Sequence, residues 1–301
     1  SGSYKQGEAI QITANTNESI QSGNDITVTL NDSNSTQVVL TASGDGTTMV
    51  GTYTVGSGDS TSGLAVSSFT IGTVTDSADN PMTSTEVPGG SDMFNSKTII
   101  IDTTVPTLSS VSIASNNTVS TKAKNGDEIT LSFTASETIG TPTVTFQSGD
   151  AAITDSSITY TNTSGNNWTA KYTTDSSDTE GSITYSIAFS DIAGNDGTAV
   201  TSGSGSVTFD KTVPTLSSVA IASNNTVTTK ATTGDEITLS FTSSETIGTP
   251  SVTFQSGGAA ITDSSITYTN TSGNNWTAKY TTDSSDTEGS ITYSIAFSDI
   301  A

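Results

Sequence analysis

Residues 102–193 return as residues 210–301, 108 positions further along the chain. Asp102-Thr-Thr-Val-Pro-Thr-Leu-Ser-Ser-Val111 reappears as Asp210-Lys-Thr-Val-Pro-Thr-Leu-Ser-Ser-Val219, and residues 153–193 are copied onto 261–301 without a change. Eight of the 92 aligned positions differ, among them Thr103/Lys211, Lys124/Thr232, Ala135/Ser243 and Asp150/Gly258. A period this long is a whole domain, not a solenoid unit of roughly 20–50 residues. Each unit must therefore close its own core before the next begins. A chain of such units points to reach, display or assembly rather than to one active centre.

Within residues 102–209 the apolar residues alternate with polar ones, the period of half-buried strands. Strand A is expected at 107–114 and strand B at 128–135, with Ile129, Leu131 and Phe133 on one face. Strand C carries Val144 and Phe146, and strand D carries Ile158 and Tyr160. Strand E carries Trp168, Ala170 and Tyr172; strand F carries Ile183, Tyr185, Ile187 and Phe189; strand G ends in Val207 and Phe209. Turn signals such as Asn125-Gly126-Asp127 separate them. Seven short strands without a helical period predict an all-β chain of tandem Ig-like antiparallel β-sandwiches. The abundant Thr suits the solvent face of a pleated sheet, and the alternation argues against disorder.

Residues 1–101 show the same layout in diverged form, since Gly7-Glu8-Ala9-Ile10 matches Gly126-Asp127-Glu128-Ile129. Ile10, Ile12 and Ala14 read as strand B, Ile26, Val28 and Leu30 as C, Met49 to Tyr53 as E, 66–74 as F and 98–101 as G. The expected domains are 1–101, 102–209 and 210–301. The first is expected without its first strand and the third without its last, so the terminal two are incomplete. A window cut from a longer array accounts for this. Strand donation between chains, which would cover open sheet edges, is the other explanation. The linkers 102–106 and 210–214 each end in Pro, which fixes φ and restricts its neighbour, so they should be stiffer than Gly/Ser tethers.

Eight lysines, without an arginine, face 30 Asp plus Glu, for a net charge of −22. Nucleic acid is excluded as a natural partner, because nothing offsets phosphate repulsion; metal cations are favoured. No apolar run approaches the roughly 20 residues of a membrane-spanning helix, so no membrane insertion is expected. The chain has no His and no Cys, which removes the usual acid–base and thiol chemistry, and a non-enzymatic role follows. Trp168 and Trp276 alternate with core residues, so they are expected in the core rather than as sugar platforms. The Thr-x-Thr pairs at Thr141/Thr143 and Thr161/Thr163 read as ordinary strand surface rather than as a glycan- or ice-binding array.

Several motifs together resemble bacterial Ig-like repeats of large secreted adhesins and other prokaryotic surface proteins. They are the linker Asp-x-Thr-Val-Pro-Thr, the strand B opening Gly-Asp-Glu-Ile-Thr-Leu, the pair Ser136-Glu137 and the turn Asp191-Ile-Ala-Gly-Asn195. The resemblance covers all three domains. It implies extracellular, cell-surface display and, in many members, calcium at the domain junctions. The expected partners are neighbouring Ig-like repeats of one longer chain, with other copies in a surface assembly as a further possibility. A stalk or spacer is the first expectation; a subunit of a surface-layer, sheath or phage-fibre assembly is the alternative.

Ig topology also locates the carboxylates. The B–C and F–G loops lie at the end of the sandwich where strand A begins. Glu137 ends strand B, Asp191 ends strand F and Asp102 precedes strand A, so the three should converge, with Asn195 and Asp196 able to add oxygens. Asp210, Glu245 and Asp299 should converge in the same way. The first domain keeps Glu18 and Asp76, with Asp79 and Asn80 nearby. Oxygen ligands without His or Cys suit Ca²⁺ better than the tighter Mg²⁺ octahedron; solvated turn formers are the competing reading. A second acidic run, Asp175, Asp178 and Glu180, recurs as Asp283, Asp286 and Glu288 in the E–F loop. An exposed, solubilising loop is the expectation there, with an extension of the junction site as the alternative.

Overall fold

The computed structural model describes residues 2–88, 98–153, 157–261 and 265–301. Three hydrophobic cores follow one another along the chain, drawn from residues 10–101, 111–209 and 237–280. Every regular element among the described residues is a strand, and no helix there is long and apolar enough to cross a membrane. The chain is an all-β tandem of Ig-like sandwiches.

The first sandwich contains β1 (Gly2–Tyr4), β2 (Ala9–Ile20), β3 (Asp25–Leu30), β4 (Gln37–Thr41), β5 (Gly46–Thr54), β6 (Val66–Ile71) and β7 (Ile99–Ile101). The second contains β8 (Leu108–Ser115), β9 (Lys122–Ala123), β10 (Glu128–Ala135), β11 (Thr143–Ser148), β12 (Ala151–Ala152), β13 (Thr159–Ser164), β14 (Asn167–Thr173), β15 (Gly181–Ala188) and β16 (Val207–Phe209). The third contains β17 (Leu216–Ser223), β18 (Glu236–Ser243), β19 (Ser251–Ser256), β20 (Ala259–Ala260), β21 (Thr267–Ser272), β22 (Asn275–Thr281) and β23 (Ile291–Ala296).

In the second sandwich one sheet runs β13-β14-β10-β8 and the other β12-β11-β15-β16-β9. These are strands D-E-B-A facing C-F-G, the arrangement of a constant-type Ig domain. The reason is visible in β10: Ile129, Leu131, Phe133 and Ala135 are buried while the intervening residues are not. Val144 and Phe146 of β11 and Ile187 of β15 present the opposing face. Phe146 and Tyr172 meet across the core with ring centroids 4.8 Å apart, and Phe254 and Tyr280 repeat the contact. Fully burying one such large side chain contributes about 1.5–3 kcal/mol, so the alternation itself selects this register. Trp168 and Trp276 pack half-buried against their cores, as their place in the alternation requires.

The first sandwich departs from this plan. Its sheet runs β2-β5-β4-β3-β6, because β4 pairs along its length with β3 and touches β5 at Thr41↔Val50. β1 pairs parallel with β7, as β9 does with β16. Strand A proves to be 108–115, one residue later than expected, and the regular part of strand F in the first sandwich stops at Ile71, with Val74 buried beyond it. The short strands β1, β9, β12 and β20, and β4, were not foreseen.

Candidate metal centres

The first centre forms where the linker leaves the first sandwich. Asp102 follows β7, and its backbone N–H donates to the Tyr4 carbonyl at 3.0 Å. Glu137 lies just beyond β10 and Asp191 beyond β15; the bridge Ile139↔Asp191 ties the two loops together. One carboxylate oxygen from each of Asp102, Glu137 and Asp191 lies within 4.8 Å of the other two. Asn195 braces the group: its N–H donates to Asp191 Oδ1 at 2.8 Å, and its Nδ2 donates to Asp191 Oδ2 at 2.7 Å and to the Asp102 carbonyl at 2.9 Å. Glu137 Oε1 is buried without a hydrogen-bond partner. Burial, then the charges of Asp102 and Asp191, push the Glu137 carboxyl above its ordinary pKa.

The second centre repeats this geometry. The Asp210 N–H donates to the Ala123 carbonyl at 2.9 Å, the bridge Ile247↔Asp299 joins the loops, and Asp210, Glu245 and Asp299 gather within the same 4.8 Å. Glu245 Oε1 is again buried and unpartnered. Its pKa is raised by burial, then by Asp210, Asp299 and Glu180.

These donors fit a hard divalent cation. Ca²⁺ takes oxygens at about 2.3–2.6 Å, so no two of its ligands stand more than about 5.2 Å apart. The three carboxylate oxygens of each centre, all within 4.8 Å of one another, are close enough to share one ion. The orphaned glutamate oxygens are the sharper sign, since a buried carboxylate oxygen without a donor carries a desolvation penalty that a cation would remove.

The other sequence-singled residues fall outside these groups. Asp196 is exposed and belongs to neither. Asn195 acts here through its nitrogens, as an orienting residue. Glu18 is exposed on β2, and neither it nor Asp76 belongs to a group of three acids among the described residues. Asp76 instead closes its own turn: Asn80 donates from N to Oδ1 at 2.9 Å and from Nδ2 to Oδ2 at 2.8 Å, and Ala78 N–H adds a third bond. The Asn80 side chain foremost, then these backbone donors, hold Asp76 below the ordinary carboxylate range. The Asp-x-x-x-Asn turn thus has one geometry in the first and second sandwiches.

The E–F acidic run is exposed at Glu180 and Glu288, as expected, but not throughout. Asp178 and its first-sandwich counterpart Asp59 are buried. Each folds its loop by accepting a backbone N–H, from Asp175 at 3.1 Å and from Gly56 at 2.7 Å, and Asp286 accepts from Asp283 at 3.1 Å. Asp59 also accepts from the Tyr53 hydroxyl at 2.7 Å. Burial opposes its charge, but the bonds from Tyr53, Gly56 and Asn34 prevail and lower its pKa. Glu180 Oε1 accepts from Lys211 N–H at 2.9 Å and from Thr212 Oγ1 at 2.7 Å, which places a fourth carboxylate beside the second centre.

Two lysines escaped sequence reasoning. Lys5 Nζ donates to the Gly194 carbonyl at 2.6 Å, crossing from the first sandwich to the F–G loop of the second. Lys211 Nζ donates to the Ser176 and Asp178 carbonyls at 2.9 and 2.7 Å. A usable signal existed for Lys5, because it aligns with Lys124 ahead of the same Gly-acid turn.

No protein-family model and no curated protein matches the chain. Among solved structures, a mutated three-domain titin fragment, I67–I69, is 10% identical, with 98% of this chain and 89% of that one covered at a TM-score of 0.37. The titin tandem I9–I11 is also 10% identical, covers 99% and 92%, and scores 0.31. The mouse nectin-like molecule 4 ectodomain is 8% identical, covers 92% and 85%, and scores 0.30. Scores this low add no weight; the Ig-like assignment rests on the strand order above.

Proposed function

We propose that the chain is a non-catalytic, extracellular spacer of a large repetitive bacterial surface adhesin, its junctions stiffened by calcium. The observation that carries this reading is the repetition of one carboxylate centre at each linker. Each centre joins a linker aspartate to the B–C and F–G loops of the sandwich that follows. A cation there would tie linker to sandwich, remove the repulsion among three carboxylates and offset part of the −22 charge. The Pro-terminated linkers, too short to act as flexible tethers, support the same mechanical role. The natural neighbours of these sandwiches are further Ig-like repeats of the same polypeptide.

Small-angle scattering of the chain in Ca²⁺ and then in chelator tests this. An extended monomer that becomes shorter and more flexible on chelation is expected, and an Asp102→Asn/Asp210→Asn double variant should resemble the chelated state throughout. An envelope indifferent to calcium would remove the stiffening; ordered calcium-dependent assemblies would replace the spacer with a lattice or fibre subunit.

A further inference from the structure

Each linker aspartate belongs to two sandwiches at once. Its main chain finishes the last ladder of the sandwich before it. In the second sandwich β16 runs parallel to β9, pairing Thr208 with Lys122 and Phe209 with Ala123. Thr208 N–H donates to the Thr121 carbonyl at 3.0 Å, and two residues on, Asp210 N–H donates to the Ala123 carbonyl at 2.9 Å. Asp210 therefore makes the final rung of that ladder. Asp102 does the same for β7, which runs parallel to β1 and ends with the bond from Asp102 N–H to the Tyr4 carbonyl at 3.0 Å. Buried side chains fix the strands just ahead of these rungs, Phe209 and Ala123 in the second core and Ile101 in the first. The rest of the aspartate faces the other way. The Asp102 and Asp210 carboxylates gather with acids of the sandwich that follows. One oxygen of each also accepts from its own linker, from Thr104 and Thr212 N–H at 3.0 Å. The following sandwich grips the Asp102 carbonyl as well, through Asn195 Nδ2 at 2.9 Å.

We propose that each linker aspartate couples the stability of the preceding sandwich to the cation site of the following one. A cation held with acids of the following sandwich closes the terminal ladder of the preceding sandwich, and the closed ladder in turn raises cation affinity. The inference rests on the calcium reading above and adds a direction to it. Stiffening concerns the angle between sandwiches, whereas this coupling concerns the fraying of β7 and β16, the strands that lead into the linkers. The physical cause is the short reach of aspartate. A single methylene separates its carboxylate from its main chain. Once the last rung opens, the carboxylate cannot keep its place among the other acids. While the carboxylate is held, the rung cannot open. Linkage makes the effect reciprocal, with one factor read from either side, commonly about 5–150-fold.

Hydrogen exchange of the full chain, in Ca²⁺ and then in chelator, tests this alongside calorimetry. Saturating Ca²⁺ should slow exchange of the Asp102, Thr208 and Asp210 amides by about tenfold. Asp210→Asn should abolish the slowing at Thr208 and leave that at Asp102. Thr208→Pro removes the donor to Thr121 and should weaken Ca²⁺ at the second centre by about the same factor, with the first centre as internal reference. The exchange measurement on the unaltered chain does not depend on either variant folding. Two ions bound with exchange unchanged would overturn the coupling and leave the calcium reading standing, whereas no uptake of ions would overturn both. Slowing at Thr208 that survives Asp210→Asn, or undiminished affinity in the Thr208→Pro chain, would also overturn the coupling.

Discussion

The two junction centres use the same three carboxylates, but the sandwiches that precede them hold their linkers differently. Ahead of the first, Thr103 Oγ1 donates to the Asp59 carbonyl at 3.0 Å and Lys5 reaches over to Gly194. Ahead of the second, Lys211 takes the place of Thr103 and bonds the Asp178 carbonyl through its ammonium, while Glu180 accepts from Lys211 and Thr212. A neutral brace has become a charged one. The cause lies in how the chain is repeated. The ligands of each centre belong to the linker and the following sandwich, which the 108-residue period copies almost unchanged. The brace partners Asp59, Lys5, Asp178 and Glu180 belong to the preceding sandwich, where the first has diverged from the second, and Thr103/Lys211 is one of the eight positions at which the copies differ. A junction is therefore half duplicated and half particular.

The largest expected effect separates the centres. Asp210→Asn should weaken Ca²⁺ at the second centre by more than the roughly 10–100-fold that outer-shell changes cost, leaving the first as it was. Calorimetry should then count one site instead of two. Loss of both sites together would show that the centres are not independent copies.

Proton competition sharpens the contrast next. Glu137 and Glu245 both have pKa values raised chiefly by burial. A raised carboxyl binds its proton more tightly in the folded chain than in the unfolded one. Without calcium, the chain should therefore gain stability as pH falls through the raised values. Calcium needs the ionised form, so its binding should release protons and weaken over the same window. Glu245 faces Glu180 in addition to two aspartates, a third repelling charge that Glu137 lacks. Carboxyl chemical shifts followed against pH would show both glutamates protonating above the ordinary range; a glutamate titrating at or below it would refute the burial of its charge. Glu180→Gln should then lower affinity at the second centre alone, by about 2–5-fold, the effect of one exposed charge.

Much of this could be read from residues. Strand B at 128–135 was found to the residue, because Ile129, Leu131 and Phe133 alternate without a break. The convergence of Asp102, Glu137 and Asp191 followed from knowing which loops share an end of an Ig sandwich. Two-residue strands such as β9 and β12 carry no periodicity, so nothing in the sequence could reveal them. β4 was different: Val38 and Leu40 do alternate, and the signal was overlooked because the second sandwich has no strand in that pairing. Asp178 was misread because a loop carboxylate among Ser and Thr looks solvated, and its burial depends on the loop closing over it. Lys5 acts 189 residues away, and only its alignment with Lys124, not its local pattern, marks it.

The smallest expected effect isolates the particular half of a junction. Lys5→Met removes the ammonium bonded to the Gly194 carbonyl but alters no carboxylate of the centre. Two consequences oppose each other. The F–G loop carrying Asp191 and Asn195 loses a tie to the first sandwich, while a bound cation loses a like charge nearby. Exposed charge interactions are worth little, so affinity at the first centre should change by no more than about twofold. The angular spread between the first and second sandwiches should still widen, as residual dipolar couplings would report. Lys124→Met should widen the second junction less, because Lys211 and Glu180 already hold it. An equal response at both junctions would mean that the charged brace adds no stiffness.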